Sequence, residues 1–204
     1  MSVKNYKFYN TSLGWIHFFI ALITFSLTVE PTASFWDAGE YIATSAKLQV
    51  GHPPGAPLFQ MIGAFFAMFA PNVEKVALFV NLMSVFSSAF TILFMFWTLT
   101  LILRKLPAFK NINTKSDYIG FFGSASIGSL AFCFSDSFWF NAVEAEVYAM
   151  ATLILSVLFW LGLKWEQEMN TAYGDRWLLL ISFIIGLSFG VHFMGLLTIP
   201  AIGM

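Results

Sequence analysis

The sequence predicts an all-α, polytopic helical membrane protein, and three observations carry that expectation. Of its 204 residues 58% are hydrophobic and only 10% are charged, and the mean hydropathy is +0.76, far outside the range of an ordinary soluble domain. A bilayer crossing needs roughly 17 to 25 helical residues, and apolar runs of that order recur at 13–29, 76–103, 118–134, 145–163 and 177–199. The positive charges cluster in the segments between these runs rather than inside them. A formal charge of -1 argues against a nucleic-acid partner. The single cysteine, Cys133, sits in an apolar run and can form no internal disulfide.

Taken in order, the first run follows Lys4 and Lys7 as a signal sequence would. Glu30-Pro31-Thr32 is not a small-residue cleavage site, so the run is expected to stay as an uncleaved anchor. Residues 34–57 follow, the longest segment between hydrophobic blocks that still reads as ordered structure. A helix over 35–49 would place Asp37, Glu40, Thr44 and Lys47 on one face and Phe35, Ala38, Ile42 and Ala46 on the other, an amphipathic helix lying on a membrane surface. Gly51 is expected to end it, and His52-Pro53-Pro54-Gly55 to make a stiff corner, because consecutive prolines fix φ and remove two donors. The next apolar block, 58–70, would span only ~20 Å as a helix against a ~30 Å hydrocarbon core, which suits an interfacial or re-entrant helix. In the last run, Gly186, Gly190 and Gly195 are expected to permit close helix packing. The chain stops in apolar sequence, Ile199-Pro200-Ala201-Ile202-Gly203-Met204, and is read as the front part of a longer protein.

Charge sets the orientation. If 58–70 does not cross and the N-terminus is cytoplasmic, Lys4, Lys7, Arg104, Lys105, Lys110, Lys115, Lys164 and Arg176 lie inside, and only Lys47 and Lys75 lie outside. The positive-inside rule favours this arrangement of five crossings over the alternative, in which the bias reverses. The connectors 104–115 and 164–176 then read as solvated loops that set orientation. Glu30, Asp37, Glu40, Glu74, Asp136, Glu144 and Glu146 come out on the external side.

Two acidic groups draw attention there. Ser34 and Asp37 have capping-box spacing and Glu40 suits a helix N-terminus; equally, one acid at the membrane face can take a proton from a hydroxyl acceptor while the other orients it. Asn141 and Glu144 repeat the capping spacing after the interface aromatics Phe138, Trp139 and Phe140. Glu146, one turn deeper and on a different side of the helix from Glu144, would cost a few kcal/mol if ionised and unpaired. His192, ~22 Å along a helix starting at Trp177, falls at a similar level and is the candidate partner. His17 reads as structural. His52 either binds an anionic group or closes the proline corner. Asp37, Glu40 and His52 could hold a metal only by folding together, and no metal or other cofactor is expected.

These segments bear a resemblance. Phe35-Trp36-Asp37-Ala38-Gly39-Glu40-Tyr41-Ile42, Leu48-Gln49-Val50-Gly51-His52-Pro53-Pro54-Gly55-Ala56-Pro57-Leu58, Ala142-Val143-Glu144-Ala145-Glu146-Val147-Tyr148 and the stretch 186–192 together resemble a family of large membrane proteins common in Bacteroidota. Its animal relative is transmembrane protein 260, a protein O-mannosyltransferase. The pattern is similar, more distantly, to the C-type glycosyltransferase fold. The resemblance implies a membrane glycosyltransferase of the bacterial inner membrane, its site facing the periplasm. It would move a sugar, mannose in the first instance, from a polyprenyl-phosphate carrier to Ser or Thr of exported proteins. Membrane lipid, sugar donor and protein acceptor are the implied partners. Asp37 would be the base and Glu40 its orienter, with His52, Glu144, Glu146, Tyr148 and His192 binding substrate. The rival readings are a transporter carrying protons through Glu146 and His192, and a non-catalytic scaffold.

Overall fold

The computed structural model describes the backbone of residues 3–110 and 112–202 and the side chains of 6–110 and 112–200. Lys4, counted above for orientation, and the terminal Gly203 and Met204 fall outside the described side chains. The described chain is helical without strands: α1 (Val3–Thr28), α2 (Ala38–Lys47), α3 (Pro57–Ala67), α4 (Val76–Leu103), α5 (Lys115–Cys133), α6 (Asp136–Ala142), α7 (Val147–Glu168), α8 (Gly174–Ser188) and α9 (Ile199–Ile202). Helix α4 is the axis of the bundle. Its 28 residues rise ~42 Å, and α1, α5 and α7 all pack on it, with α2, α3 and α6 gathered around its N-terminal half. Small hydroxyls let the neighbours approach closely: Ser84, Ser87, Ser88 and Thr91 are buried, and Ser87 and Thr91 return their protons to the carbonyls of Met83 and Ser87 at 2.8 and 3.0 Å.

Three helical stretches are long and apolar enough to cross a membrane, Tyr6–Thr28, Val73–Leu103 and Val147–Glu168; α5 and α6, bent by 65°, make a fourth if counted as one broken span. The expected fifth crossing over 177–199 is not continuous. Helix α8 stops at Ser188, whose carbonyl takes the N–H groups of both Val191 and His192, and a 3-10 turn, Phe193–Thr198, follows. At 15 residues α8 spans ~22 Å, short of a bilayer core. The break has a tertiary cause. The Gly190 carbonyl accepts the N–H groups of Leu58 and Phe59 at 2.8 and 3.3 Å, which are orphan donors in the first turn of α3. A Cβ on Gly190 would sit 2.8 Å from the Leu58 Cβ, so this glycine does serve close packing, as does Gly195 against Ser188 at 2.6 Å; nothing lies within 4 Å of one at Gly186, where the packing expectation fails.

The amphipathic helix is shorter than its pattern suggests. Trp36 takes the left-handed region at φ 59, which a bulky residue adopts only under constraint, so α2 begins at Ala38 rather than 35. It ends at Leu48, φ 48, with the N–H groups of Leu48 and Gln49 returned to the carbonyls of Ser45 and Thr44. Gly51, expected to end the helix, instead lets the chain pass close to Gln60 and Glu40, each 3.0 Å from where its Cβ would be. The packed face is Ala38, Tyr41, Ile42, Thr44 and Ser45, set against α3 and α4. Two members of the expected apolar face, Phe35 and Ala46, are exposed, and Thr44 is buried because the Gln60 amide donates to its hydroxyl at 3.0 Å.

Candidate functional site

Three loops meet above the N-terminal end of α4. The first, after α1, is fixed by Asn81, a fully buried α4 residue whose amide donates to the carbonyls of Glu30 and Thr32 at 2.7 and 2.9 Å. The link between α6 and α7 lies against it, with the Glu30 N–H on the Val143 carbonyl at 3.0 Å. Neither proposed capping box forms here. The Ser34 hydroxyl donates to Glu144 Oε2 instead of capping Asp37, and the Asn141 amide turns back to the Ser137 carbonyl at 2.8 Å. Glu144 and Glu146 therefore lie in a non-helical link, Glu146 being the residue before α7, and not on two sides of one helix.

This link delivers Glu146 to Asp37. The Glu146 side chain is only 5% exposed, and its Oε1 accepts the Asp37 backbone N–H at 3.1 Å. Asp37 stands at the N-cap of α2 without capping it, its side chain making no bond to the helix. Its Oδ2 faces His52 Nε2 at 3.9 Å. The other ring nitrogen, Nδ1, lies 3.0 Å from Glu40 Oε2, while Glu40 Oε1 accepts the His52 backbone N–H at 2.6 Å. Glu40 thus grips His52 twice, and reaches Asp37 only through it. In the His52-Pro53-Pro54-Gly55 corner Gly55 sits at φ 77, and the His52 ring lies back over α2, 6.0 Å from the Tyr41 ring.

The electrostatics follow from these contacts. The His52 backbone bond first, then its ring, hold the Glu40 carboxyl below the usual range; the hydrogen bond to Glu40 and then its charge raise the His52 imidazole. Burial first, then the Asp37 charge, pushes the Glu146 carboxyl up to about 7. Burial also raises Glu144, one of whose oxygens has no partner, the Ser34 bond opposing the shift. Tyr41, a cavity residue that the sequence pattern does not single out, is pushed up to about 12 by burial and by the charges of Glu146, Asp37 and Glu40. Its place at i+4 from Asp37 on the same helix was the available signal.

A cavity of about 290 Å³ collects these groups: Asp37, Tyr41, His52, Glu146, Tyr148 and His192 all line it. Residues from four separate segments of the sequence are thereby brought together. Glu144 is the exception, buried behind Ser34 and absent from the cavity wall. Glu146 and His192 share the cavity without a hydrogen bond or ion pair between them: Glu146 holds the Asp37 N–H, and His192 Nδ1 accepts the Met194 N–H at 3.2 Å while its ring lies 5.4 Å from Tyr148. His17, read as structural, is buried in the bundle against Phe96 with Nδ1 on the Leu13 carbonyl at 2.7 Å. Asp37, Glu40 and His52 do fold together, each offering a ligand atom within 4.8 Å of the others. Of the two ring nitrogens, Nδ1 is held by Glu40, and Nε2 is the one that faces Asp37.

Known proteins resemble the chain over most of its length. The family model described as "Protein O-mannosyl-transferase TMEM260 N-terminal domain" matches residues 37–204. Of the curated proteins, "Protein O-mannosyl-transferase tmem260" of Dictyostelium discoideum is 27% identical over 195 residues, 90% of this chain and 22% of that protein. "Protein O-mannosyl-transferase TMEM260" of Mus musculus is 26% identical over 164 residues, 80% of this chain and 21% of its own length. The chain therefore spans about a fifth of the length of these relatives. No solved structure matches it.

Proposed function

The chain belongs to the family of the protein O-mannosyl-transferase TMEM260 N-terminal domain, and from that premise we propose that its acidic cavity is the transfer site of a membrane glycosyltransferase. The donor in this reading is a polyprenyl-phosphate sugar, mannose by analogy with the relatives' names, and the acceptor is a Ser or Thr hydroxyl of an exported protein. The protein would sit in a bacterial inner membrane with the cavity on the periplasmic side. The observation that carries the reading is the convergence of Asp37, His52, Glu146, Tyr148 and His192 on one cavity at the end of an apolar bundle.

In the proposed step the acceptor oxygen bonds to the anomeric carbon as the bond from that carbon to the carrier phosphate breaks. Polyprenyl phosphate leaves, and the hydroxyl proton passes to the Asp37 carboxylate. Asp37 suits this role because its side chain is half-exposed to the cavity mouth and makes no cap bond that substrate would have to displace. His52 Nε2 faces it, and with Nδ1 committed to Glu40 it gives the proton an exit. Glu40 is then a positioning residue that acts through His52. Glu146 fixes the Asp37 backbone, and a carboxyl whose pKa is raised to about 7 can do so without placing a second full negative charge beside the base. Tyr148 and His192, which also line the cavity, are assigned to substrate binding. The test is transfer from a polyprenyl-phosphate sugar to a Ser/Thr peptide by membranes containing the protein. Absence of transfer with every such donor would overturn the reading.

A further inference from the structure

A second cavity, of about 640 Å³, lies at the other end of the bundle between the start of α1, the end of α4 and the end of α7, beside Phe109, Lys110 and Ile112. Its charged lining is all basic, Lys7, Arg104, Lys110 and Lys164, beside the neutral Asn10, Thr11 and Gln167, with no carboxylate among the lining residues. Two acids lie nearby: Glu166 pairs with Lys105, and Glu168 accepts the Trp177 indole N–H at 2.8 Å and forms an ion pair with Lys164 at 4.0 Å, so Lys164 is the one lining cation that an acid partly offsets. Arg104 stacks on the Tyr6 ring at 4.6 Å, which fixes the guanidinium at the cavity edge without neutralising it. Lys7, Arg104 and Lys110 have no acidic partner among the described residues. Deeper in, Trp97, Leu101 and Trp160 form an apolar wall, with the Trp97 indole held by the Asn10 carbonyl at 3.1 Å.

We propose that this cavity binds the phosphate headgroup of an anionic glycerophospholipid, independently of the acidic site. Like charges gathered round one cavity repel, and a phosphate ester both relieves that repulsion and accepts hydrogen bonds from lysine and guanidinium donors. The apolar aromatic wall, continuous with helices that are long enough to cross a membrane, suits a ligand with acyl chains better than a free anion. These four cations all belong to the set that charge bias assigns to one membrane face. Such bias needs only loops; their convergence on a walled cavity is the added observation.

The experiment uses the chain purified in a neutral detergent and read by thermal unfolding and by native mass spectrometry. Dioleoyl phosphatidylglycerol is expected to raise the melting temperature by several degrees and to be retained as one molecule per chain, whereas dioleoyl phosphatidylcholine does neither. Lys7→Gln combined with Lys110→Gln, two exposed positions whose change should leave the fold intact, is expected to weaken that binding at least tenfold. Lys47→Gln with Lys75→Gln, at the other end, should not. Equal stabilisation by phosphatidylcholine, or full retention of the phosphatidylglycerol effect in the folded Lys7/Lys110 variant, would overturn the proposal. Equal protection by inorganic phosphate at the same concentration would overturn its lipid part, making the occupant a free anion.

Discussion

Replacing Asp37 by asparagine separates two roles that the sequence leaves entangled. A capping residue works through a side-chain oxygen, which Asn retains, and even loss of a working cap costs only ~1 kcal/mol. Here the Asp37 side chain makes no cap bond, and its backbone N–H, the atom that Glu146 holds at 3.1 Å, is unchanged by the substitution. The expected change in stability is therefore well under ~1 kcal/mol. A general base fares differently, because an amide takes no proton. Loss of such a base costs roughly 10²- to 10⁴-fold in turnover, or about 3 to 5 kcal/mol of barrier. The assay is initial-rate sugar transfer from a polyprenyl-phosphate donor to a Ser/Thr peptide, with a melting curve on the same preparation. Near wild-type transfer by a folded Asp37→Asn protein would refute the reasoning. Attention would then pass to Glu146, which shares the cavity, ahead of Glu144, which does not line it.

Other outcomes follow from the same geometry. Glu40→Gln is expected to impair transfer less than Asp37→Asn and to lower the His52 pKa, which the Glu40 hydrogen bond and charge now raise; an unchanged His52 titration by NMR would mean that Glu40 does not grip the ring. Glu146 has its carboxyl raised from 4.5 to about 7, so between those values the folded state binds the extra proton and stability falls as pH rises. The loss is at most ~3 kcal/mol, and Glu146→Gln should flatten it, as unfolding midpoints at pH 5 and pH 8 would reveal. Asn81→Leu removes both donors that tie down the Glu30 and Thr32 carbonyls, and is expected to destabilise by ~2 to 4 kcal/mol. An unfolding midpoint within experimental error of wild type would contradict that anchoring.

By itself the sequence determined what depends on local chemistry. An apolar content of 58% and runs such as Val76–Leu103 leave a helical bundle as the accessible fold, because burial in lipid needs only length and composition. It also marked the segments that carry Asp37, Glu40, His52, Glu146, Tyr148 and His192, since charged or polar residues beside such runs are costly enough to stand out. What it could not supply was their partners. The Ser34–Asp37 and Asn141–Glu144 spacings are legitimate capping signals, yet Ser34 is drawn to Glu144, more than a hundred residues away, and the α6–α7 link is bent to bring Glu146 under the Asp37 N–H. The run 177–199 is apolar throughout, but the Gly190 carbonyl is needed by the first turn of α3, so α8 ends early and His192 enters the cavity from a turn instead of a helix. Hydrogen-bond demand between distant segments has no period or spacing in the chain. Only the tertiary structure decides which donor meets which acceptor, and it decided here that His52, not Glu40, stands beside Asp37.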